Sequence, residues 1–386
     1  MTPGSLQWFH SSSLPSRARG RCPFALRAAC ALAVALVPVA CGEDTLGLGT
    51  VPDDELVCDL DARFLADGGV GRDGIPALSN PTFVDVDPVV PENAYAKEDD
   101  RIIGVLLSSG WVAIPHNIMW VHEIVNLDDG MAVTYCPLTG SAMAFSRASV
   151  GGAELGVSGL LYQANLIMYD RNQPDESLWP QMWGEARCGP RSGAQLDRLP
   201  VVEMTLAAWK ELHPDSKMVG LTAGLADWGR YARNPYGSDY DDPDNADFLG
   251  YPIPLDDTRR PPKERVLGFP DDGSGPVAFP FSDMAGVGTR AVFPLTWDGR
   301  EIVVFWDGEA QAAAAYEAAV GVNPASFTAT EEGFVDSETG SVWGVDGSVV
   351  SGPLAETTRR LRPIAEAYVA FWGAWAAFHP GTVLGL

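Results

Sequence analysis

The chain of 386 residues carries 51 acidic against 26 basic side chains, a formal charge of −25. That length exceeds one ordinary core and suits two domains, while 46% hydrophobic residues exclude disorder as the main state. The acidity argues against nucleic acid as a partner, because such binding neutralises phosphates with Lys and Arg.

The first forty residues read as a targeting segment. Arg17, Arg19, Arg21 and Arg27 form a basic region, followed by the apolar run Ala28 to Ala40 and then Cys41. A run of that length is too short to span a bilayer as a helix but suits a signal peptide. Small Ala40 before Cys41 and Gly42 after it resemble a bacterial lipobox, although Pro38 stands where leucine is usual. Residues 1–40 are therefore expected to be cleaved, with Cys41 lipidated and the protein held on the periplasmic or extracellular face of the cell envelope. Losing four Arg and no acid takes the charge to −29, which disfavours adsorption on anionic lipid and leaves the acyl chains as the membrane link. Of the remaining cysteines, Cys58, Cys136 and Cys188 cannot all pair within one chain. One must be free, metal-bound or joined to another molecule.

Residues 41–72 read as a tether, and the globular part carries an internal repeat. Arg101 "RIIGV" recurs as Arg265 "RVLGF", "VAIP" ending at Pro115 as "VAFP" ending at Pro280, and "AAWKELHP" ending at Pro214 as "GAWAAFHP" ending at Pro380. Trp179 and Trp343, and Gly189-Pro190 and Gly352-Pro353, fall in the same register, with offsets of 163 to 166. A first module at 73–224, an inter-module segment at 225–264 and a second, degenerate module at 265–386 follow. Short runs rich in Val, Ile and aromatics read as strands. "VEMTLAAWKELHP" and the longer "AETTRRLRPIAEAYVAFWGAWAAFHP" read as one C-terminal helix per module. The expected fold is thus β-rich α+β, in two tandem pseudo-repeat modules of mixed strands. The segment between them is dense in Pro, Asp and Tyr, and its tyrosines suggest packing across both copies.

Several motifs follow in fixed order: "DGIPAL" (Asp73 to Leu78), "WVHEIVN" (Trp120 to Asn126), "VTYCPLTGSAMAFSR" (Val133 to Arg147), "GVSGLLYQANLIMYDR" (Gly156 to Arg171) and "ESLWPQ" (Glu176 to Gln181). With "YARNPYGSDYDD", "PPKERVLGF" and the C-terminal "FWGAWAAFHPGTVLG", they resemble the prokaryotic domain-of-unknown-function family 3179 across nearly the whole mature chain. The resemblance implies exported proteins of no established activity. Where that family often shows Cys-Pro-Leu-Cys, this chain has Cys136-Pro137-Leu138-Thr139, so a two-cysteine metal clip or redox pair is not available here.

Comparing the copies directs attention to the first. His116, His122, Glu123 and Cys136 have no counterpart in the second, which reads "FSDMAGVGTRA" after its Pro280. His122 and Cys136, with His116 or Glu123, are candidate ligands for a Cu or Zn ion. The alternatives are Cys136 as a nucleophile or redox thiol with His122 as its base, or a core cysteine in a purely structural envelope module. Arg147, Asn165 and Arg171 could line a pocket for a small ligand, the arginines anchoring an anion. Paired His213 and His379 read as helix C-terminal caps, and Asp336 echoes Asp170, which points Asp170 towards structure. The acidic stretch Ser238 to Asp247 could hold Ca²⁺ but lacks the Gly and closing Glu of an EF-hand loop. There is no P-loop, no G-x-S-x-G elbow and no H-E-x-x-H. A ligand- or metal-binding module, its small-molecule or protein partner unnamed, is the leading expectation.

Overall fold

Alternating Val, Ile and aromatic residues between Gly, Pro and Asp punctuation produce strands throughout. The computed structural model describes residues 58–172, 174–222, 228–245, 251–253 and 257–386; the signal segment and Cys41 lie outside these. Its helices are short: α1 (His116–His122), α2 (Leu206–Leu212), α3 (Trp228–Tyr231), α4 (Phe281–Val287) and α5 (Trp372–Phe378). Apart from two 3-10 turns, Ala62–Phe64 and Arg147–Val150, the remaining regular structure is strand, so the protein is a β-rich α+β fold. Among the described residues, no helix is long and apolar enough to cross a membrane.

Three sheets form the first half. One orders Val202–Thr205, Arg101–Leu107, Gly110–Pro115, Lys217–Val219 and Phe83–Asp85. The second runs Arg198–Leu199, Ser141–Ser146, Met131–Cys136, Ile124–Asn126 and Leu78–Ser79, and the third Leu65–Asp67, Leu155–Tyr162, Asn165–Asp170 and Leu178–Pro180. In the second half, Tyr368–Phe371, Arg265–Phe269, Val277–Pro280 and Val383–Leu384 repeat the order of the first sheet's leading four strands. Arg290–Trp297, Arg300–Asp307 and Ala312–Glu317 make a meander, and Phe327–Ala329 to Val349–Ser351 a four-stranded sheet.

Two tryptophans pin the helices by the same device. A Cβ on Gly104 would sit 2.1 Å from the Trp209 ring, and one on Gly268 would sit 2.3 Å from Trp375. Each indole N–H finds a hydroxyl, Trp209 Nε1 donating to Ser216 Oγ at 2.8 Å and Trp375 Nε1 to Thr382 Oγ1 at 2.9 Å. The halves also exchange reciprocal backbone bonds: Thr205 N–H to Ala310 O at 3.0 Å, and Phe371 N–H to Thr139 O at 2.8 Å.

Burial follows this exchange. One core joins Ile102, Val105 and Trp209 to Val303, Phe305 and Tyr316, and a second joins Phe145, Tyr162 and Trp179 to Val266, Trp372 and Trp375. A third lies within the second half around Phe279, Phe293 and Trp306. The described residues accordingly form one compact unit.

The helices differ from expectation. Each half holds a further seven-residue helix, α1 or α4, directly after a strand ending in Pro115 or Pro280. Seven residues are too few to display a helical period in sequence. The two C-terminal helices are shorter than their apolar stripes suggest. Val202–Thr205 and Tyr368–Phe371 instead pair as strands with Arg101–Gly104 and Arg265–Gly268, so non-local pairing overrides local propensity there.

Candidate functional site

Helix α1 is the element that gathers the first-half candidates. Its last turn ends at His122, and Glu123 caps it with φ 57°, its N–H donating to Met119 O. Glycine is the usual occupant of this left-handed position, because a Cβ costs free energy there. A glutamate held in it is a strained choice that points to function.

The four residues singled out in this region do not share one centre. His116 lies with its ring 4.3 Å from that of Tyr135 and its Nε2 3.0 Å from Glu203 Oε2; burial holds it neutral by lowering its pKa. His122 is likewise pushed towards the neutral form by burial. Its Nδ1 donates to Pro76 O at 2.7 Å, so its Nε2 accepts from the Tyr231 hydroxyl at 2.9 Å. Both ring nitrogens are thus engaged. Cys136 is buried, its sulfur 3.7 Å from Ala164 O and accepting from Leu166 N–H at 3.3 Å. Burial, reinforced by nearby Glu123, pushes its thiol up to about 11. A thiol so placed stays protonated at neutral pH, the reverse of a reactive cysteine. No group of three or more His, Cys, Asp or Glu able to hold a metal ion occurs among the described residues.

Glu123 is different. It is 8% exposed, and its carboxyl has no hydrogen-bond or ion-pair partner among the described residues. Burial alone raises its pKa to about 8, so it is held as the neutral acid at pH 7. It faces a cavity of about 170 Å³ walled by Ile75, Leu138, Val157, Leu160 and Leu166, with Tyr236 and Tyr251 as the aromatic members. Burial raises the pKa of the Tyr236 phenol, so it too stays protonated. The chain thereby brings a lone carboxyl, an apolar wall and two phenol rings to one small chamber.

The other candidates are occupied by the protein itself. Arg147 donates to Gly152 O at 2.9 Å and Leu127 O at 2.6 Å. Asn165 donates to Thr139 and Gln181 and accepts from Met182 N–H, within a buried network that includes Ser141 and Thr134. Arg171 pairs with Glu154 and Asp73, each at 2.9 Å. Asp170 accepts from Ser177 N–H and pairs with Arg191, while Asp336 accepts from Thr339 N–H and Trp343 Nε1. In the acidic stretch, Asp241 pairs with Arg265 and Asp239 accepts from Asn245.

His213 and His379 do close α2 and α5 through their backbone N–H groups, donated to Trp209 O and Trp375 O. The cap at His379 works without ring charge: burial lowers its pKa to about 3, and the neutral ring packs 4.0 Å from Trp375. His213 bonds Asp346 across the halves at 2.9 Å. The cysteine arithmetic resolves as a Cys58–Cys188 disulfide and a free, buried Cys136.

Sequence reasoning missed the chamber's other members. Tyr236 and Tyr251 arrive from the inter-module segment, more than a hundred residues beyond Glu123. The cue was that segment's tyrosine density. Its packing on both halves is real: Tyr231 meets His122, and Tyr240 donates to Pro137 O while its ring lies 6.0 Å from Phe371.

Among known proteins, no curated sequence and no solved structure matches the chain. A family profile, described as a protein of unknown function (DUF3179), matches residues 72–382, a range that includes α1, Glu123 and most strands of the sheets. On that match, the chain belongs to the DUF3179 family.

Proposed function

We propose that this protein is an envelope binding module that takes a small, mainly apolar molecule into the Glu123 chamber. One observation carries the reading: Glu123, a buried residue whose side chain has no hydrogen-bond or ion-pair partner among the described residues, faces a largely apolar cavity of about 170 Å³. A buried polar group lacking a hydrogen bond is costly. Where such a group faces a cavity, a bound ligand can supply the missing partner. A cavity of this size suits a compact molecule of a few heavy atoms. The buried thiol and the fully engaged His122 favour binding over thiol chemistry.

Ligand-observed NMR with a panel of small apolar compounds, toluene and indole among them, tests this. Several should bind the wild type and lose binding in Leu138→Trp, which fills the chamber from its half-buried wall. A panel in which no compound distinguishes the two proteins would remove the reading.

Duplication followed by loss in one copy accounts for the site's position. The shared sheet order and the paired Gly–Trp contacts support two modules at 73–224 and 265–386. Gly288 follows α4 where Glu123 follows α1, so the second copy has no carboxyl to offer. Export and anchoring through Cys41 are part of the same proposal, supported by the basic and apolar N-terminal runs and by a disulfide suited to an oxidising compartment. Cys41→Ser should release the protein from membranes on fractionation; an unchanged membrane fraction would count against the anchor.

A further inference from the structure

The chamber's polar inventory is narrow enough to specify its ligand further. This inference rests on the reading of the chamber as a small-molecule site. Among the described lining residues Glu123 is the one carboxyl, and none is Lys, Arg or His. Two phenol rings, Tyr236 and Tyr251, share the wall with Ile75, Leu138 and Leu160. Aromatic faces attract cations through the ring quadrupole, and the attraction grows once water is excluded. A carboxylate in the same chamber supplies the counter-charge. A primary ammonium spends its three N–H donors on oxygen acceptors, whereas most of the described lining is apolar side chain. An alkylated ammonium has methyl groups in place of those donors and needs apolar contact instead. The chain's charge of −25 raises the local concentration of any cation.

We infer that the Glu123 chamber receives a small alkylated ammonium group, held between Tyr236 and Tyr251 with Glu123 as its counter-ion. The strained backbone at Glu123 then has a purpose, since a glycine there would relieve the strain and abolish the counter-charge.

Choline and its uncharged isostere 3,3-dimethyl-1-butanol separate charge from shape. Isothermal titration of the mature protein should show choline binding at least about tenfold more tightly, in line with a desolvated cation–π contact plus a paired carboxylate. Glu123→Gln, confirmed folded by circular dichroism, should erase that preference and leave the isostere's affinity within about twofold, as an uncharged ligand loses no ion pair. Equal binding of the two ligands by the wild type, or a preference that survives in Glu123→Gln, overturns the cation assignment while leaving an apolar chamber. Failure of both ligands also overturns it. If the toluene and indole panel is silent as well, the chamber reading falls with it.

Discussion

Glu123 makes a pH-dependent contribution whose sign can be worked out. Below about pH 4.5 its carboxyl is protonated in both folded and unfolded chains and adds no pH dependence. Between that value and its folded pKa of about 8, unfolding releases a proton, so stability falls as pH rises. Above about 8 the loss levels off. Glu123→Gln should therefore be more stable than the wild type by a margin that grows from pH 4.5 to 8, with a ceiling of about 5 kcal/mol. Denaturant titrations across that range check this; a margin independent of pH would contradict it. At this scale the sequence was informative about where to look. The absence of His116, His122, Glu123 and Cys136 from the second half directed attention to the turn of chain that carries Glu123. It could not show that His122 spends both nitrogens on Pro76 and Tyr231, because those partners lie 46 and 109 residues away.

At the scale of elements, the Gly–Trp contacts are the most constrained packing in the fold. Gly104→Ala places a methyl inside the Trp209 ring's volume, and overpacking of this kind costs about 1–3 kcal/mol. Combining it with Trp209→Phe should recover part of that loss, since the two positions share one contact. Chemical denaturation of the single and double variants measures the coupling, and strictly additive losses would deny the contact. The strands were legible because their alternation is local. The boundaries of α2 and α5 were not, because Val202–Thr205 and Tyr368–Phe371 carry helix-compatible residues whose strand partners, Arg101–Leu107 and Arg265–Phe269, are remote in sequence. The seven-residue α1 and α4 have too little length to announce themselves.

Over the whole molecule, the two halves exchange core residues rather than closing on themselves. Ile102 and Trp209 share a core with Phe305 and Tyr316, and Phe145 and Trp179 share one with Trp372 and Trp375. A fragment ending at residue 245 would expose both faces and keep only part of its apolar burial. Expressed alone, residues 58–245 should lack the dispersed amide spectrum of a folded domain, and a cooperative thermal transition in that fragment would contradict the shared-core account. The matched tryptophans were readable in the sequence, but interleaved cores are a property of the closed fold and have no signature in either half. The inter-module segment shows the same limit, since its tyrosines reach the first-half chamber only after folding. The measurement that reaches the centre of the account is the carboxyl carbon-13 resonance of Glu123, assigned by its loss in Glu123→Gln. At pH 7 it should sit at the position of a protonated acid and move to that of a carboxylate as choline saturates the protein. A resonance already ionised at pH 7, titrating near 4.5 and indifferent to choline, would contradict the central claim.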